Sequence, residues 1–447
     1  MPLTRDLGRF VAEVSFEKLP AAALDVARVG FIDCIATMIA GSHDPAPQLL
    51  RKALEPPGGD ASLYFSGDRA PAPEAAWING TAGHALDYDD VALRGHPSTV
   101  LVPAILAEGE ALGASGRDML AAYVAGYETW AELAWRDPGH HHRKGWHPTG
   151  IFGPIGAAAA CAVLRGLDAD RATSAIALAA SQSSGVMANF GTMTKPFHAG
   201  RSAHSGLIAA RLAGVGFTAS QDALEHPQGF LSAVSPAGEV DRETPAAGLG
   251  REWRIAKQRL GIKKYPACYC THRALDAILA LLDARPLKPE EIARITVSLS
   301  DMHALILRNH NPQTGLEAKF SIEFAMAASV IARRAGLAEY TDDFVRRADV
   351  QDLMRRVAIV TNQNYDPEMS GASVWDQVRV ELAGGGTIES EKVRRAKGHA
   401  DRPLSEAELF EKFRACLDAG GARITPEALF DRVKKLEHLS ARELTTV

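Results

Sequence analysis

Apolar residues recur at helical spacing through the first half of the chain. In residues 21–40, Leu24, Val29 and Ile32 lie on such a repeat, and the run is too long for a strand. The same spacing of apolar residues predicts helices at residues 75–86, 99–112, 117–135, 151–164 and 171–183. Alanine and glycine are frequent in these segments, so neighbouring helices can pack closely. We predict almost continuous helix from residue 3 to about residue 244.

The pattern changes to period two after about residue 251. Residues 293–300 alternate and carry β-branched side chains, which predicts a strand, and residues 357–361 are a second candidate. Two further strands, 376–382 and 387–393, flank three consecutive glycines and predict a hairpin. Helices are predicted between and after these strands, at residues 322–335, 341–350, 406–418 and 426–436.

These patterns predict a mainly α protein built from two domains. The large all-helical domain comprises residues 1–262 and is rejoined by residues 404–447. The smaller domain, residues 263–403, is α+β. A length of 447 residues also favours two domains, because single hydrophobic cores stop growing at shorter lengths.

Charge and cysteine content narrow the class of protein. The net charge of −5 and the isoelectric point near 6.3 argue against a broad nucleic-acid-binding surface, which needs a basic face. Met1 to Phe10 lacks the apolar core of a signal peptide, and no apolar run is long enough to span a membrane. Five scattered cysteines fit a reducing compartment. We therefore expect a cytoplasmic protein without nucleic-acid or membrane partners.

One segment, residues 191–206, concentrates candidate chemistry and reads GTMTKPFHAGRSAHSG. Lys195 precedes Pro196, and proline favours the first position of a helix. Lys195 is therefore expected just ahead of a helix N-terminus, where unpaired N–H groups and the helix dipole favour an anion. His198 and Arg201 follow within two turns. The alternative is a loop lysine beside a solvated helix face.

A similar arrangement recurs at residues 96–97 (His-Pro), 147–148 (His-Pro) and 264–266 (Lys-Tyr-Pro). Each places a cationic or titratable side chain ahead of a proline that suits a helix start. The dipole there disfavours imidazolium and keeps a histidine neutral. If these helix ends converge, they form a carboxylate pocket with a histidine ready for proton transfer. Any single His-Pro pair is more often only a helix start.

An acidic cluster of Asp87, Asp89 and Asp90 follows His84. His84 and Asp87 are three residues apart and are expected on one helix face. Because acidic groups at a helix C-terminus oppose its dipole, they do not serve helix stability. One carboxylate can orient His96 or act with it as an acid/base pair. A solvated acidic helix end is the alternative, and metal binding by Asp89 and Asp90 is another.

Other histidine and cysteine clusters give weaker signals. Residues 140–142 are adjacent histidines, which do not share a face, so a mobile basic loop is favoured over a metal site. Cys268, Cys270 and His272 lack a second pair at zinc spacing. Cys268 is better interpreted as part of an active-site wall.

Together these motifs resemble the MmgE/PrpD family. The matching stretches are residues 79–90, 96–98, 145–149, 191–200 and 263–272. The resemblance implies a large helical domain, a smaller α+β lid domain, a site in the cleft between them and a homodimer. Family members such as 2-methylcitrate dehydratase, cis-aconitate decarboxylase and iminodisuccinate epimerase act on small di- or tricarboxylates, without metal or organic cofactor. Their shared step is proton transfer at a carbon next to a carboxylate.

The resemblance also implies roles for individual residues. His96 or His147 is the general base or acid, and Asp87 orients one of them. Lys195 and Lys263 bind carboxylates and stabilise the charge that develops on proton removal. The other predicted substrate-binding residues are His198, Arg201, Lys264, Cys268 and His272.

Several positions depart from the decarboxylase pattern. Val91 replaces a threonine, and the loop from Asp90 to His96 is one residue shorter. Cys268 stands where the decarboxylase has histidine, and a lid tyrosine has no match near His303. These differences argue against decarboxylation of cis-aconitate and leave the substrate open.

We therefore predict a metal-free, cofactor-independent enzyme acting on a small di- or tricarboxylate. It is expected to be a carbon–oxygen lyase resembling 2-methylcitrate dehydratase, or an epimerase. The alternatives are a metal-dependent hydro-lyase and a non-catalytic polycarboxylate-binding protein. Replacing Lys195 by Ala should depress turnover without unfolding the protein.

Overall fold

A computed structural model describes residues 3–369 and 371–446, and their contacts divide them into two units. The first unit contains the described residues up to Asn189, residues 193–260, and the residues from Ser405 onward. The second contains residues 190–192 and 261–404. The protein is mainly α-helical, with a smaller α+β region in the second unit.

The helices up to residue 260 belong to the first unit. In chain order they are α1 (Leu3–Glu13), α2 (Ala21–Ala40), α3 (Pro45–Leu54), α4 (Ala72–Ala85), α5 (Ser98–Leu112), α6 (Gly116–Trp135), α7 (Pro148–Leu164), α8 (Ala169–Ala180), α9 (Thr194–Gly214), α10 (Phe230–Val234) and α11 (Arg254–Gln258).

The later helices are divided between the two units. The second unit contains α12 (His272–Ala284), α13 (Asp301–Ile306), α14 (Gly315–Ala318), α15 (Ile322–Ala332), α16 (Asp342–Val345) and α17 (Ala348–Met354). The chain then returns to the first unit with α18 (Glu406–Ala419), α19 (Pro426–Lys434) and α20 (Ala441–Thr445).

The strands form two separate sheets. They are β1 (Ala61–Ser62), β2 (Arg69–Ala70), β3 (Ile292–Ser300), β4 (Val357–Asn362), β5 (Gln377–Leu382) and β6 (Thr387–Glu389). β1 and β2 form a short antiparallel pair in the first unit. The second unit has the order β4-β3-β5-β6, with β3 and β4 parallel and the other pairs antiparallel. The predicted hairpin is therefore confirmed as β5–β6, whose shorter second strand ends at Glu389.

The centre of the first unit is a set of closely crossing helices rich in small residues. Where α4 meets α9, a Cβ added to Gly80 would lie 2.8 Å from the Cα of Gly200. A Cβ on Gly206 of α9 would lie 2.5 Å from the backbone nitrogen of Ala158 in α7. Real Cβ atoms cannot occupy these positions, so glycine permits the backbones to approach this closely. The crossings bring the end of α4 and the beginnings of α7 and α9 together.

Several sequence predictions are wrong in detail. The predicted helix to residue 244 breaks after α9, and residues 215–253 are mostly turns around the five-residue α10. Pro227, Pro236 and Pro245 lie in this stretch and cannot continue a helix. The helix predicted for residues 341–350 consists of two short pieces, α16 and α17. The pair β1–β2 was not predicted, because two-residue strands carry no periodicity.

None of the helices in the described part of the chain combines the length and apolarity needed to cross a bilayer. The five cysteines are buried free thiols.

Candidate active site

A cluster of titratable side chains lies where α4, α7 and α9 meet in the first unit. His84 lies in the last turn of α4, and the following loop carries Asp87, Asp89 and His96. α7 and α9 contribute the remaining members, His147, Lys195 and His198. Most of these side chains are almost inaccessible, and that of His96 is 12% exposed. The predicted convergence of the segments around residues 96, 147 and 195 is therefore present in the structure.

Lys195 is held between a carboxylate and an imidazole. Its Nζ donates to Asp87 Oδ1 at 2.9 Å and lies 3.0 Å from His84 Nε2. Lys195 was expected ahead of the helix, but α9 begins at Thr194, so the lysine lies in the first turn. The N–H groups of a first turn have no helical partner, and this end of the helix favours negative charge.

Asp87 does not lie on a helix face, because α4 ends at Ala85. Its φ of +49° is in the left-handed region, which non-glycine residues rarely adopt. The predicted helical relation between His84 and Asp87 is therefore wrong. A backbone in this conformation costs about 1–3 kcal/mol and persists only when its surroundings hold it. The bond from Lys195 is one such contact.

Asp89 contacts both histidines that flank it in sequence. Its Oδ1 lies 2.8 Å from His84 Nδ1, and its Oδ2 lies 3.2 Å from His96 Nδ1. His96 Nδ1 is also 2.8 Å from the backbone oxygen of Asp90. Asp87 was expected to orient a histidine; these two histidine contacts belong to Asp89, and the role of Asp87 stays a prediction. Burial raises the pKa of a carboxyl group, yet the two histidines outweigh it and hold the pKa of Asp89 well below its usual value.

His147 lies at the N-cap of α7 and Pro148 at the first helical position, as the His-Pro pattern predicts. Its Nδ1 is 3.2 Å from Nδ1 of His198, so one ring donates and the other accepts. The backbone nitrogen of His147 donates to the oxygen of Gly185 at 3.0 Å. Gly185 has a φ of +110°, and a Cβ there would lie 3.2 Å from the His198 ring. A glycine is thus needed at position 185 for the two histidines to lie in contact here.

Burial and the Lys195 charge keep these histidines neutral. The pKa of His84 is lowered to about 3, mainly by burial and further by Lys195, although Asp89 opposes the shift. Burial and Lys195 also lower the pKa of His147 well below its usual value and that of His198 to about 4. Neutral imidazole can accept a proton near pH 7, whereas imidazolium cannot.

His142 is a member of this electrostatic environment that the sequence interpretation missed. The histidines at 140–142 were expected in a mobile loop, but residues 141–144 form a 3₁₀ turn and His141 is buried. Burial and the neighbouring charges, including His96 and Lys195, lower the pKa of His142 to about 3. Three adjacent histidines have no helical spacing, so their pattern gave no signal for this packing.

Asp90 and Asp33 are further buried carboxylates in and next to the loop that follows α4. Asp90 Oδ1 accepts from the backbone nitrogen of Ser98 at 3.2 Å. Burial, followed by the charges of Asp33 and Asp89, raises the pKa of Asp90 well above its usual value. Lys412 of α18 places its Nζ 2.6 Å from Asp33 Oδ1 and 2.7 Å from the backbone oxygen of Tyr88.

Two sets of side chains have donor atoms that all lie within 4.8 Å of one another. The first set is His84, His96 and His147, and the second is His84, Asp87, Asp89 and His96. Such sets have the dimensions of a metal site. The Lys195 ammonium, however, lies at His84 Nε2 and Asp87 Oδ1, two atoms that a metal would use. A second cation at this point would be repelled. The donor set therefore fits a lysine-centred site better than a metal centre.

Arg201 of α9 is the remaining predicted residue of the first unit. Arg201 stacks on Trp77 at 5.0 Å and places Nη1 2.6 Å from His204 Nδ1. Its contact with substrate stays a prediction.

Four further predicted residues belong to the second unit. Lys263 is buried, whereas Lys264 is exposed and its Nζ lies 5.4 Å from the centre of the Tyr265 ring. No helix begins at Pro266, so the fourth predicted helix start is wrong. Cys268 and His272 are buried, and their roles also stay predictions.

Two family models match successive parts of the chain. Residues 5–243 match the MmgE/PrpD N-terminal domain, and residues 265–432 match the MmgE/PrpD C-terminal domain. The chain is 29% identical to cis-aconitate decarboxylase of Mus musculus over 83% of this chain and 77% of that protein. The corresponding human protein is also 29% identical, over 83% and 78%. Cis-aconitate decarboxylase of Aspergillus terreus is 26% identical over 98% of this chain and 92% of that protein.

Proposed function

The chain belongs to the MmgE/PrpD family and is an enzyme of the lyase type, and we propose that it acts on a small di- or tricarboxylate. The proposed reaction removes a proton from the carbon next to a carboxylate, without metal or organic cofactor. Its outcome is loss of water, as in a dehydratase, or return of the proton to the other face, as in an epimerase. The observation that carries the proposal is the buried Lys195 ammonium beside neutral histidines.

His96 is the proposed general base. Its Nδ1 lies 2.8 Å from the backbone oxygen of Asp90, which can only accept, so this nitrogen carries the hydrogen. The lone pair then resides on Nε2, which is the atom that receives the substrate proton. His147 and His198 share one hydrogen between their Nδ1 atoms; the ring that accepts there carries its own hydrogen on Nε2, and this N–H is the proposed acid.

Lys195 is the proposed electrostatic partner of the developing negative charge. Proton removal next to a carboxylate spreads charge onto the carboxylate oxygens, and a buried ammonium stabilises this charge more strongly than water does. Lys195 lies in the first turn of α9, whose unpaired N–H groups favour the same charge. Lys263 is proposed to bind a second carboxylate, on the basis of the family resemblance.

The curated relatives are named for a tricarboxylate, which supports the proposed substrate class. Val91 and Cys268 depart from the decarboxylase pattern, and for this reason we propose dehydration or epimerisation rather than decarboxylation of cis-aconitate. The resemblance further supports a homodimer, and the five scattered cysteines support a reducing, cytoplasmic setting. Light scattering on the purified protein measures its oligomeric state.

A metal-dependent hydro-lyase is the second candidate, because the donor atoms of His84, His96 and His147 cluster within 4.8 Å. The position of the Lys195 ammonium argues against it. The two candidates differ in their response to chelation. Activity that is lost with EDTA and restored by a divalent ion would favour the metal-dependent reaction.

Proton NMR in D₂O tests the proposal directly. Purified protein treated with EDTA is incubated with 2-methylcitrate, citrate, cis-aconitate and iminodisuccinate in separate samples. We expect deuterium to enter next to a carboxylate of one substrate, with an alkene or an epimer as product. Loss of carbon dioxide from cis-aconitate would instead identify a decarboxylase. Binding without exchange, detected as ligand-induced thermal stabilisation, would contradict the proposed catalysis.

A further inference from the structure

We propose that Lys412 of α18 is a positioning residue of the candidate site, because it holds the turn that presents Asp87 to Lys195. Its ammonium bonds to the backbone oxygen of Tyr88, the residue directly after Asp87. Lys412 therefore acts on the site through the backbone of the loop that follows α4. The effect on the loop is a matter of geometry alone, and the effect on turnover rests on the proposed function.

Lys412 occupies a position where the pattern of α18 favours an apolar side chain. Leu409, Phe413 and Cys416 are buried, and their spacing places them with Lys412 on the face of α18 that packs against α2. The side chain of Lys412 is 4% exposed. Because a buried ammonium is rarely retained unless polar groups compensate it, the partners of Lys412 indicate what it does.

The ammonium contacts one carboxylate and one loop residue. Nζ lies 2.6 Å from Asp33 Oδ1 of α2, whose side chain is 0% exposed, and it donates to the backbone oxygen of Tyr88 at 2.7 Å. It also lies 4.1 Å from the centre of the Tyr88 ring, within the range of a cation–π contact. Asp33 compensates the lysine charge, whereas the two Tyr88 contacts connect α18 to the loop. An ion pair with Asp33 alone would require neither of them.

The bonded oxygen belongs to the peptide that joins Tyr88 to Asp89. Directly before Tyr88, Asp87 has a φ of +49°, and its Oδ1 accepts from Lys195 Nζ at 2.9 Å. A non-glycine residue in this conformation persists only when its surroundings hold it. Lys195 holds the side chain of Asp87, and Lys412 holds the carbonyl of the next residue. The two lysines thus fix the strained turn from its two ends.

Removing both charges together separates positioning from charge compensation. Lys412→Met alone leaves the Asp33 carboxylate buried without this cation, so unfolding would lower activity as well. D33N/K412M carries neither charge, and most of the loss in urea midpoint seen in K412M should be recovered. Methionine, however, cannot donate to the Tyr88 oxygen. D33N/K412Q is the matched control, because glutamine has a similar length, is uncharged and can donate.

Crystal structures without substrate test the position of the loop. In the wild-type protein, Lys412 Nζ should lie within ~3.2 Å of the Tyr88 oxygen. In D33N/K412M we expect Asp87 to leave the left-handed region and its carboxylate to lose the bond from Lys195. A wild-type structure without the Lys412 bond would overturn the inference, whether or not the variants fold. An unchanged turn in D33N/K412M would also overturn it.

Kinetics supply the second readout. D33N/K412M should have a kcat ~10²-fold below that of the wild-type enzyme, because a misplacement of about 1 Å at the reacting groups costs about this much. D33N/K412Q should regain part of the loss. Wild-type kcat in D33N/K412M would restrict Lys412 to charge compensation. If D33N/K412M does not fold, D33N/K412Q decides. A turn and a kcat retained there without a bond from glutamine to the Tyr88 oxygen would contradict the positioning role.

The two proposals fail in different ways. If the wild-type enzyme turns over none of the carboxylates, the proposed function fails, whereas the crystal structures still report the turn at Asp87. If turnover is found but D33N/K412M keeps the wild-type turn and kcat, only the role of Lys412 fails.

Discussion

Replacement of Lys195 by methionine should lower both the free energy of unfolding and the turnover, and the two effects can be measured separately. Methionine keeps much of the aliphatic length but removes the ammonium that contacts Asp87 at 2.9 Å. The side chains of Lys195 and Asp87 are 5% and 4% exposed, so a carboxylate is left buried without this partner. Breaking a buried ion pair by removing one partner costs about 3–5 kcal/mol. The sequence alone led us to expect that replacing Lys195 by Ala depresses turnover without unfolding the protein.

The double variant D87N/K195M is the matched control. Asparagine has almost the same shape as aspartate and leaves no buried charge, so most of the ~3–5 kcal/mol should be recovered. Catalysis should not recover, because the charge that stabilises the transition state is still absent. Loss of one well-placed donor costs ~10²–10³ in kcat.

Two measurements follow these effects. Urea unfolding, monitored by tryptophan fluorescence, gives the free energy of unfolding of the wild-type protein and both variants. The NMR assay gives kcat on the substrate identified with the wild-type enzyme. The reasoning is refuted if K195M keeps wild-type turnover, or if D87N/K195M regains it. Equal stability of the single and double variants would refute the ion-pair argument alone.

Three further predictions concern packing, an ion pair and pH. Gly200→Ala should lower the free energy of unfolding by about 1–3 kcal/mol and reduce kcat, because its Cβ would force α4 and α9 apart; urea unfolding and the kinetic assay measure both. Lys412→Met should cost about 3–5 kcal/mol by leaving Asp33 buried without its cation, and adding Asp33→Asn should recover most of it. His84 and His198 have pKa values of about 3 and 4 in the folded state, against 6.5 in the unfolded chain, so unfolding takes up protons below pH 6.5. Stability should therefore fall as the pH drops from about 6.5 towards 4, by up to ~1.4 kcal/mol per pH unit for each group, and unchanged urea midpoints across this range would contradict the assignment.

Long, strongly patterned elements of the fold could be predicted from the sequence. α2 begins and ends at the predicted residues, Ala21 and Ala40, because its apolar repeat is uninterrupted. β3 starts one residue before the predicted range, since β-branched alternation marks it clearly. Short elements such as α16 and β1 depend on tertiary contacts and have no period of their own.

Part of the candidate site was also predictable. The His-Pro pattern at His147 identifies a helix start from local chemistry, and the structure confirms it. The contacts of Asp87 and Asp89 were not predictable, because Asp87 itself adopts a left-handed backbone conformation that turns the chain after α4. His84 was missed as a partner of Lys195, since 111 residues separate them and no local pattern reports a contact at that distance.

The return of α18 to the first unit has a consequence for how a cell makes this protein. Lys412 contacts the backbone oxygen of Tyr88 across a separation of 324 residues, within the loop that carries the candidate base His96. At translation rates of ~5–20 residues per second, the ribosome needs roughly 15 to 65 s to bridge that interval. During this time the nascent first unit lacks the cation that neutralises Asp33. Vectorial synthesis therefore delays completion of the catalytic scaffold until the residues that follow the second unit have been made.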